Sequence, residues 1–208
     1  LNGNGNELNN VLTGNDGNNI LNGLGGLDTM IGGAGNDTYV LDQAGELGLV
    51  QELSGQGNDT LYVTYAINAQ NNIVAMNLAN LQDVENTTLG GEGTFTVLGN
   101  SLNNMLIGNV ATNALYGGGG NDYIDGGAGV DVLYGGQGND TYIVDNQNDK
   151  VFESAGEGHD EVRSFVSYTL SADVEDGTLL GNANINFTGN ALSNTLTGNA
   201  GNNVLDGM

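Results

Sequence analysis

Apolar side chains return at every ninth residue over much of this chain. From Gly5 the units read GNELNNVLT, GNDGNNILN, GLGGLDTMI and GGAGNDTYV, with Leu12, Leu21, Met30 and Tyr39 at the eighth place. Over 41–98 the beat is lost, although the runs 60–67 and 94–98 alternate as strands do, and GQGNDTLY keeps one shifted turn around Asp59. The beat resumes at Gly99 with GNSLNNMLI, GNVATNALY, GGGGNDYID, GGAGVDVLY and GGQGNDTYI, gives way to a second irregular tail, and restarts at Gly189. One inward residue in nine predicts a turn of about six residues followed by a strand of about three, so that two units complete a coil. The expected fold is all-β: a solenoid of two facing parallel sheets, with the eighth-place side chains between them.

The long pattern divides the chain into a first module over 1–98, a second over 99–188 and the start of a third over 189–208. Aligning the first two leaves extra residues in the first, placed at 68–80 and read as a surface loop. Leu1 falls inside a repeat and Met208 just after one begins, which is read as a piece of a longer chain.

Composition sharpens this picture. The 208 residues include 37 glycines and no proline, cysteine or tryptophan, which suits a regular, turn-rich architecture. Twenty-five acidic residues against 2 basic ones give a net charge of -23. Such self-repulsion disfavours a compact state unless cations relieve it, and it argues against nucleic acid or an anionic membrane as partner. No apolar stretch is long enough for a membrane span.

The carboxylates fall at the sixth place of the later units: Asp28 and Asp37 in the first round, Asp122, Asp131 and Asp140 in the second. Turns on one side of the solenoid recur every second unit, so residues 18 apart, such as Asp122 and Asp140, stack about 4.8 Å apart, one strand spacing. A cation between them removes their repulsion, and Ca2+ fits because it accepts about six to eight oxygens in flexible geometry.

GGAGNDTYV, GGGGNDYID, GGAGVDVLY and GGQGNDTYI match Gly-Gly-x-Gly-x-Asp-x-apolar-x at every fixed place. In this the chain resembles the RTX, or hemolysin-type, calcium-binding repeats. The resemblance implies a right-handed parallel β-roll, duplicated here, with calcium in its turns. It also implies a secreted, extracellular protein exported by type I secretion machinery, with the remainder of a larger parent protein as partner.

Ligands carried over from the family are backbone carbonyls and aspartates of same-side turns. The best-matched site takes Gly118, Gly120 and Asp122 with Gly135, Gln137 and Asp140, and Gly117, Gly119, Gly136 and Gly138 complete the two turns. A second takes Gly127, Gly129 and Asp131, in the turn with Gly126 and Ala128, and faces Val144, Asn146 and Asp149. The first round offers Gly32, Gly33, Ala34, Gly35 and Asp37, then Gly26 and Asp28. There the residues 18 further on are Gly55 and Glu46, so Asp59 joins only through a local shift; Asp160 is the equivalent candidate in the second tail. Asn10, Asn19, Asn104 and Asn113 face aspartates and are expected to stack as amide ladders without metal. Glu85 and Glu175 are read as edge charges.

The remaining residues point away from catalysis. His159 is the single histidine, sits at a variable turn place and is expected to be exposed. One such histidine supports neither a zinc site nor a hydrolytic triad. Tyr116 and Tyr134 share the ninth place and should stack outside, while Tyr39 and Tyr142 face inward. The expected function is a non-enzymatic calcium-binding structural module. The alternative is a calcium-dependent module for carbohydrate or a cell surface, using the exposed tyrosines.

Overall fold

The computed structural model describes residues 2–65, 75–81 and 83–208. Strands stack in parallel as a solenoid. One face is an 11-stranded sheet that takes every second strand of the chain. It starts at Asn2–Asn4, Ile20–Asn22 and Thr38–Leu41 and passes through Thr60–Val63 and Asn86–Leu89. It continues through Met105–Ile107, Tyr123–Asp125 and Thr141–Val144 to Glu161–Ser164, Asp176–Leu179 and Thr195–Thr197. The opposite face is made of sheets of three, five and three strands. The central one stacks Ala75–Asn77, Thr96–Leu98, Ala114–Gly119, Val132–Gln137 and Lys150–Phe152.

Where the nonapeptide beat is regular, the register follows it: Met105 pairs with Tyr123 and Tyr123 with Thr141. Where the beat is lost, the long sheet continues, with Thr38 paired to Thr60, Thr60 to Asn86, and Glu161 to Asp176. The irregular tails are therefore further coils with turns of other lengths. Turn length is free to vary because only the strand must deliver an apolar residue inward and backbone groups to its neighbours.

The core follows from that delivery. Leu21, Tyr39, Leu61, Leu106, Ile124, Tyr142 and Val162 come from the long sheet; Met30, Val50, Met76, Val97, Leu115, Leu133 and Val151 oppose them, all at most 4 % exposed. At Gly177 the long sheet lends no side chain, and the Phe187 ring occupies the space, so that a Cβ on Gly177 would lie 2.7 Å from it.

The surface loop expected at 68–80 is corrected in part. Residues 66–74 lie outside the described residues, but Ala75–Asn77 is a strand paired with Thr96–Leu98, and Leu78–Asn80 is a short 3-10 turn. Met76 and Leu78 are fully buried, so the second half of the stretch is a coil of the solenoid. On the outer face Tyr116, Tyr134 and Phe152 form one stack, with ring centroids 4.5 and 4.8 Å apart and planes nearly parallel. Among the described residues no helix is long and apolar enough to cross a membrane.

Leu133 lies on the inner face of a central strand, paired with Leu115 on one side and Val151 on the other. Leu133→Ala should cost about 2 to 5 kcal/mol, because stacked strands cannot collapse into the cavity. Urea denaturation in millimolar calcium measures it, with a lower midpoint at an unchanged slope expected.

Candidate metal centre

The turns are narrow because glycine makes them so. A Cβ on Gly117 or Gly135 would collide with Oδ2 of Asp122 or Asp140, so the first place of the turn must be bare for the carboxylate to fold under it. Gly118 and Gly120 have φ of +108 and +102, a conformation that L side chains rarely adopt. Their carbonyl oxygens face the next turn, where a Cβ on Gly136 or Gly138 would strike them. Each aspartate thus sits beside the backbone of the adjoining turn, with which Gly118 and Gly119 pair as strand residues.

A ladder of charge-assisted hydrogen bonds fixes one oxygen of each carboxylate. The Asp122 N–H donates to Asp140 Oδ1 at 2.7 Å, and Asn104 N–H donates to Asp122 Oδ1 at 2.7 Å. The other oxygen has no donor: Oδ2 of Asp28, Asp37, Asp122, Asp131 and Asp140 is buried and without a hydrogen-bond partner. Burial, with the neighbouring carboxylates adding to it, pushes Asp122 and Asp131 up to about 7 and Asp140 to about 6. Buried carboxylate oxygens that face one another and receive no proton donor suit a hard cation. The residues present therefore fit calcium.

The expected pairs differ in how fully they are assembled. In the first round, Asp37 N–H donates to Asp59 Oδ1 across 22 residues at 2.7 Å, so the longer turn does bring Asp59 into place. The 3-10 helix Ala44–Leu49 brings Glu46 against Asp28, and both are fully buried. In the second tail, Asp140 N–H donates to Asp160 Oδ1 across 20 residues at 2.8 Å. Asp131 and Asp149 adjoin as expected, the N–H of the first on Oδ1 of the second at 3.0 Å. That gap also receives the Asn146 side-chain amide, which donates to the Gly129 carbonyl, and the Val144 carbonyl accepts from Phe165 N–H. Two of the carbonyls expected there as ligands are thus already engaged.

Glu85 and Glu175 are not edge charges. They accept from Asp59 N–H at 2.7 Å and Asp160 N–H at 2.8 Å, so each takes the carboxylate place of the next coil. His159 is exposed, 3.1 Å from Asp176.

The asparagine turns close in a different way from the expected stack. The Asn100 amide donates to the Val84 carbonyl at 2.9 Å and, at 3.4 Å, to that of Leu81. Asn109 donates to Gly91 and Gly93, Asn190 to Ser171 and Val174, and Asn199 to Leu180 and Ala183. Each amide reaches one coil back to a pair of carbonyls. Asn104 then bonds Asn100 in both directions, Asn100 N–H donating to Asn104 Oδ1 and the Asn104 amide donating to Asn100 Oδ1.

Two acidic clusters each join to expected aspartates a glutamate that the repeat pattern did not single out. Asp37, Glu52 and Asp59 form one and Asp140, Glu153 and Asp160 the other, with one ligand oxygen from each residue within 4.8 Å of the others. Both are geometrically consistent with a divalent cation. Burial foremost, with adjoining carboxylates, raises Glu52 to about 7 and Glu153 to about 8. The signal lay in the tails: ELSGQGND and ESAGEGHD are matching eight-residue turns, each opening on the glutamate in question.

Comparison with known families gives one match. A model described as the RTX calcium-binding nonapeptide repeat, four copies long, matches residues 4–39, 98–133, 107–142, 116–151 and 188–208, together more than half of the chain. No curated protein matches.

The raised carboxylates make acid stabilising when no divalent cation is present. A group whose folded-state pKa lies above its unfolded value contributes stability that is present at low pH and lost as pH rises through the folded value. For Asp122, Asp131 and Asp140 that loss spans the interval from the ordinary carboxylate range up to about 7. In excess chelator, acidification from about pH 7.5 to about pH 5 should therefore shift the chain toward the folded state, read as a gain of far-UV circular dichroism. A loss of that signal over the interval would contradict the assignment.

Proposed function

Starting from the fact that the chain belongs to the RTX calcium-binding nonapeptide repeat family, we propose that it is a structural module that folds on calcium. The observation that carries this is the row of buried carboxylate oxygens with no donor, opposed by turn carbonyls. With a net charge of -23, the folded ion-free chain concentrates repulsion in its turns; calcium converts that repulsion into ligation, so binding energy becomes folding energy. Among the described residues, Asp122 with Asp140, Asp140 with Asp160, and Asp37 with Asp59 are pairs whose gaps receive no side-chain amide. The asparagine turns extend the solenoid without metal, and 1–98, 99–188 and 189–208 are rounds of one repeating plan.

In this reading the module serves a larger secreted protein. It leaves a calcium-poor cytoplasm unfolded through type I secretion machinery and folds outside, where calcium is abundant. It has no catalysis of its own. The alternative, a carbohydrate or cell-surface binder, relied on the exposed tyrosines. Tyr116, Tyr134 and Phe152 press their flat faces on one another, and the inner faces are thereby withheld from a sugar ring.

Calcium titration into chelator-treated protein should produce a cooperative gain of far-UV circular dichroism at about 0.1 to 1 mM free ion. Calorimetry should show fewer ions bound by the Asp122→Asn, Asp140→Asn double variant. A spectrum indifferent to calcium, or an unchanged stoichiometry, would refute the reading.

A further inference from the structure

The two eight-residue turns place a glutamate where the nonapeptide has its first glycine, and the consequences are the same in both. Around Gly135 the atoms that a Cβ would strike are Asp140 Oδ2, the Tyr142 hydroxyl and Glu153 Oε1; around Gly32 they are Asp37 Oδ2, the Tyr39 hydroxyl and Glu52 Oε1. Three oxygens thus converge on one point in each round. Asp37, Asp59, Asp140 and Asp160 are each 1 % exposed. Asp140 Oδ2 and Glu153 Oε2 have no hydrogen-bond partner, and in the first round Asp37 Oδ2, Tyr39 hydroxyl and Glu52 Oε1 all lack one. Of these, Asp140 Oδ2, Asp37 Oδ2, the Tyr39 hydroxyl and Glu52 Oε1 are aimed into the gap. The Tyr142 hydroxyl donates to Glu153 Oε1, holding that carboxylate against the aspartates.

We propose that Glu52 and Glu153 are cation ligands, making Asp37–Glu52–Asp59 and Asp140–Glu153–Asp160 two three-carboxylate sites of a class separate from the two-aspartate turns. The inference rests on the calcium reading above and adds to it a ligand, a number and an order. Three carboxylates oppose a divalent cation with more charge than two, and affinity in oxygen-ligand sites follows ligand charge and rigidity. These two sites fill first. They lie where each run of regular repeats meets its irregular tail, so the ion clamps the expanded turn to the aspartate of the last regular one. Tyr142 positions Glu153, and both the Tyr39 and the Tyr142 hydroxyl stand beside the ion.

That placement gives an optical readout, because the chain has no tryptophan and tyrosine is the donor to a bound lanthanide. Terbium emission excited through tyrosine should saturate after about two equivalents in the wild-type chain, one for each cluster. Most of it should vanish in Tyr39→Phe, Tyr142→Phe. Glu52→Gln, Glu153→Gln should weaken the tightest calcium sites at least about tenfold and leave the weaker ones in place. Emission that grows evenly across all equivalents, or survives loss of both hydroxyls, overturns the proposal. So does unaltered affinity in the glutamine variant, which would mark Glu52 and Glu153 as buried side chains beside the tyrosines only. A wild-type chain that takes up no calcium refutes both this proposal and the calcium reading, whereas uptake with an unaffected glutamine variant refutes this one alone.

Discussion

Parallel pairing of the strands brings the sixth-place residues of same-side turns within one hydrogen bond of each other, and in this chain those residues carry negative charge. The backbone N–H of one aspartate ends on the carboxylate of the next, as in Asp122 to Asp140 to Asp160. This geometry cannot be relaxed by moving a side chain. The bare glycine at the first place and the positive-φ glycines at the second and fourth fold each carboxylate inward and exclude water from its second oxygen. Sheet register and charge repulsion are thus one problem, and the turns differ in how they solve it.

Three solutions occur along the solenoid. Where asparagine stands at the second place, its amide reaches back to two carbonyls and the coil closes with neutral groups, as at Asn109 and Asn190. In the gaps between Asp122 and Asp140 and between Asp37 and Asp59 no side-chain amide is supplied among the described residues, and Oδ2 of Asp37, Asp122 and Asp140 is left without a partner. An intermediate form is the gap between Asp131 and Asp149, in which Asn146 already holds the Gly129 carbonyl. Neutral coils such as those at Asn100 and Asn109 directly precede the aspartate turns.

The regular units revealed most of the fold. One apolar residue in nine identified the strands, their inward face and their parallel stacking, and the glycine-aspartate spacing identified Asp122 with Asp140 and Asp131 with Asp149. The tails were harder to read because the period is carried by turns, and turn length there varies while strand pairing does not. Asp59 and Asp160 needed that variation to reach Asp37 and Asp140. Glu85 and Glu175 escaped because their carboxylates occupy an aspartate place from a longer side chain. Glu52 and Glu153 escaped because a single nonapeptide template has glycine at their place; only the likeness of ELSGQGND to ESAGEGHD marks them.

If cation ligation in the aspartate turns is what allows this register, backbone protection should depend on calcium turn by turn. Amide hydrogen exchange followed by mass spectrometry, with and without chelator, resolves this directly. Peptides covering 117–143 should exchange slowly in calcium and at nearly unfolded rates without it, with the asparagine coils over 99–116 losing less protection. Equal protection of 117–143 in both conditions would contradict the account.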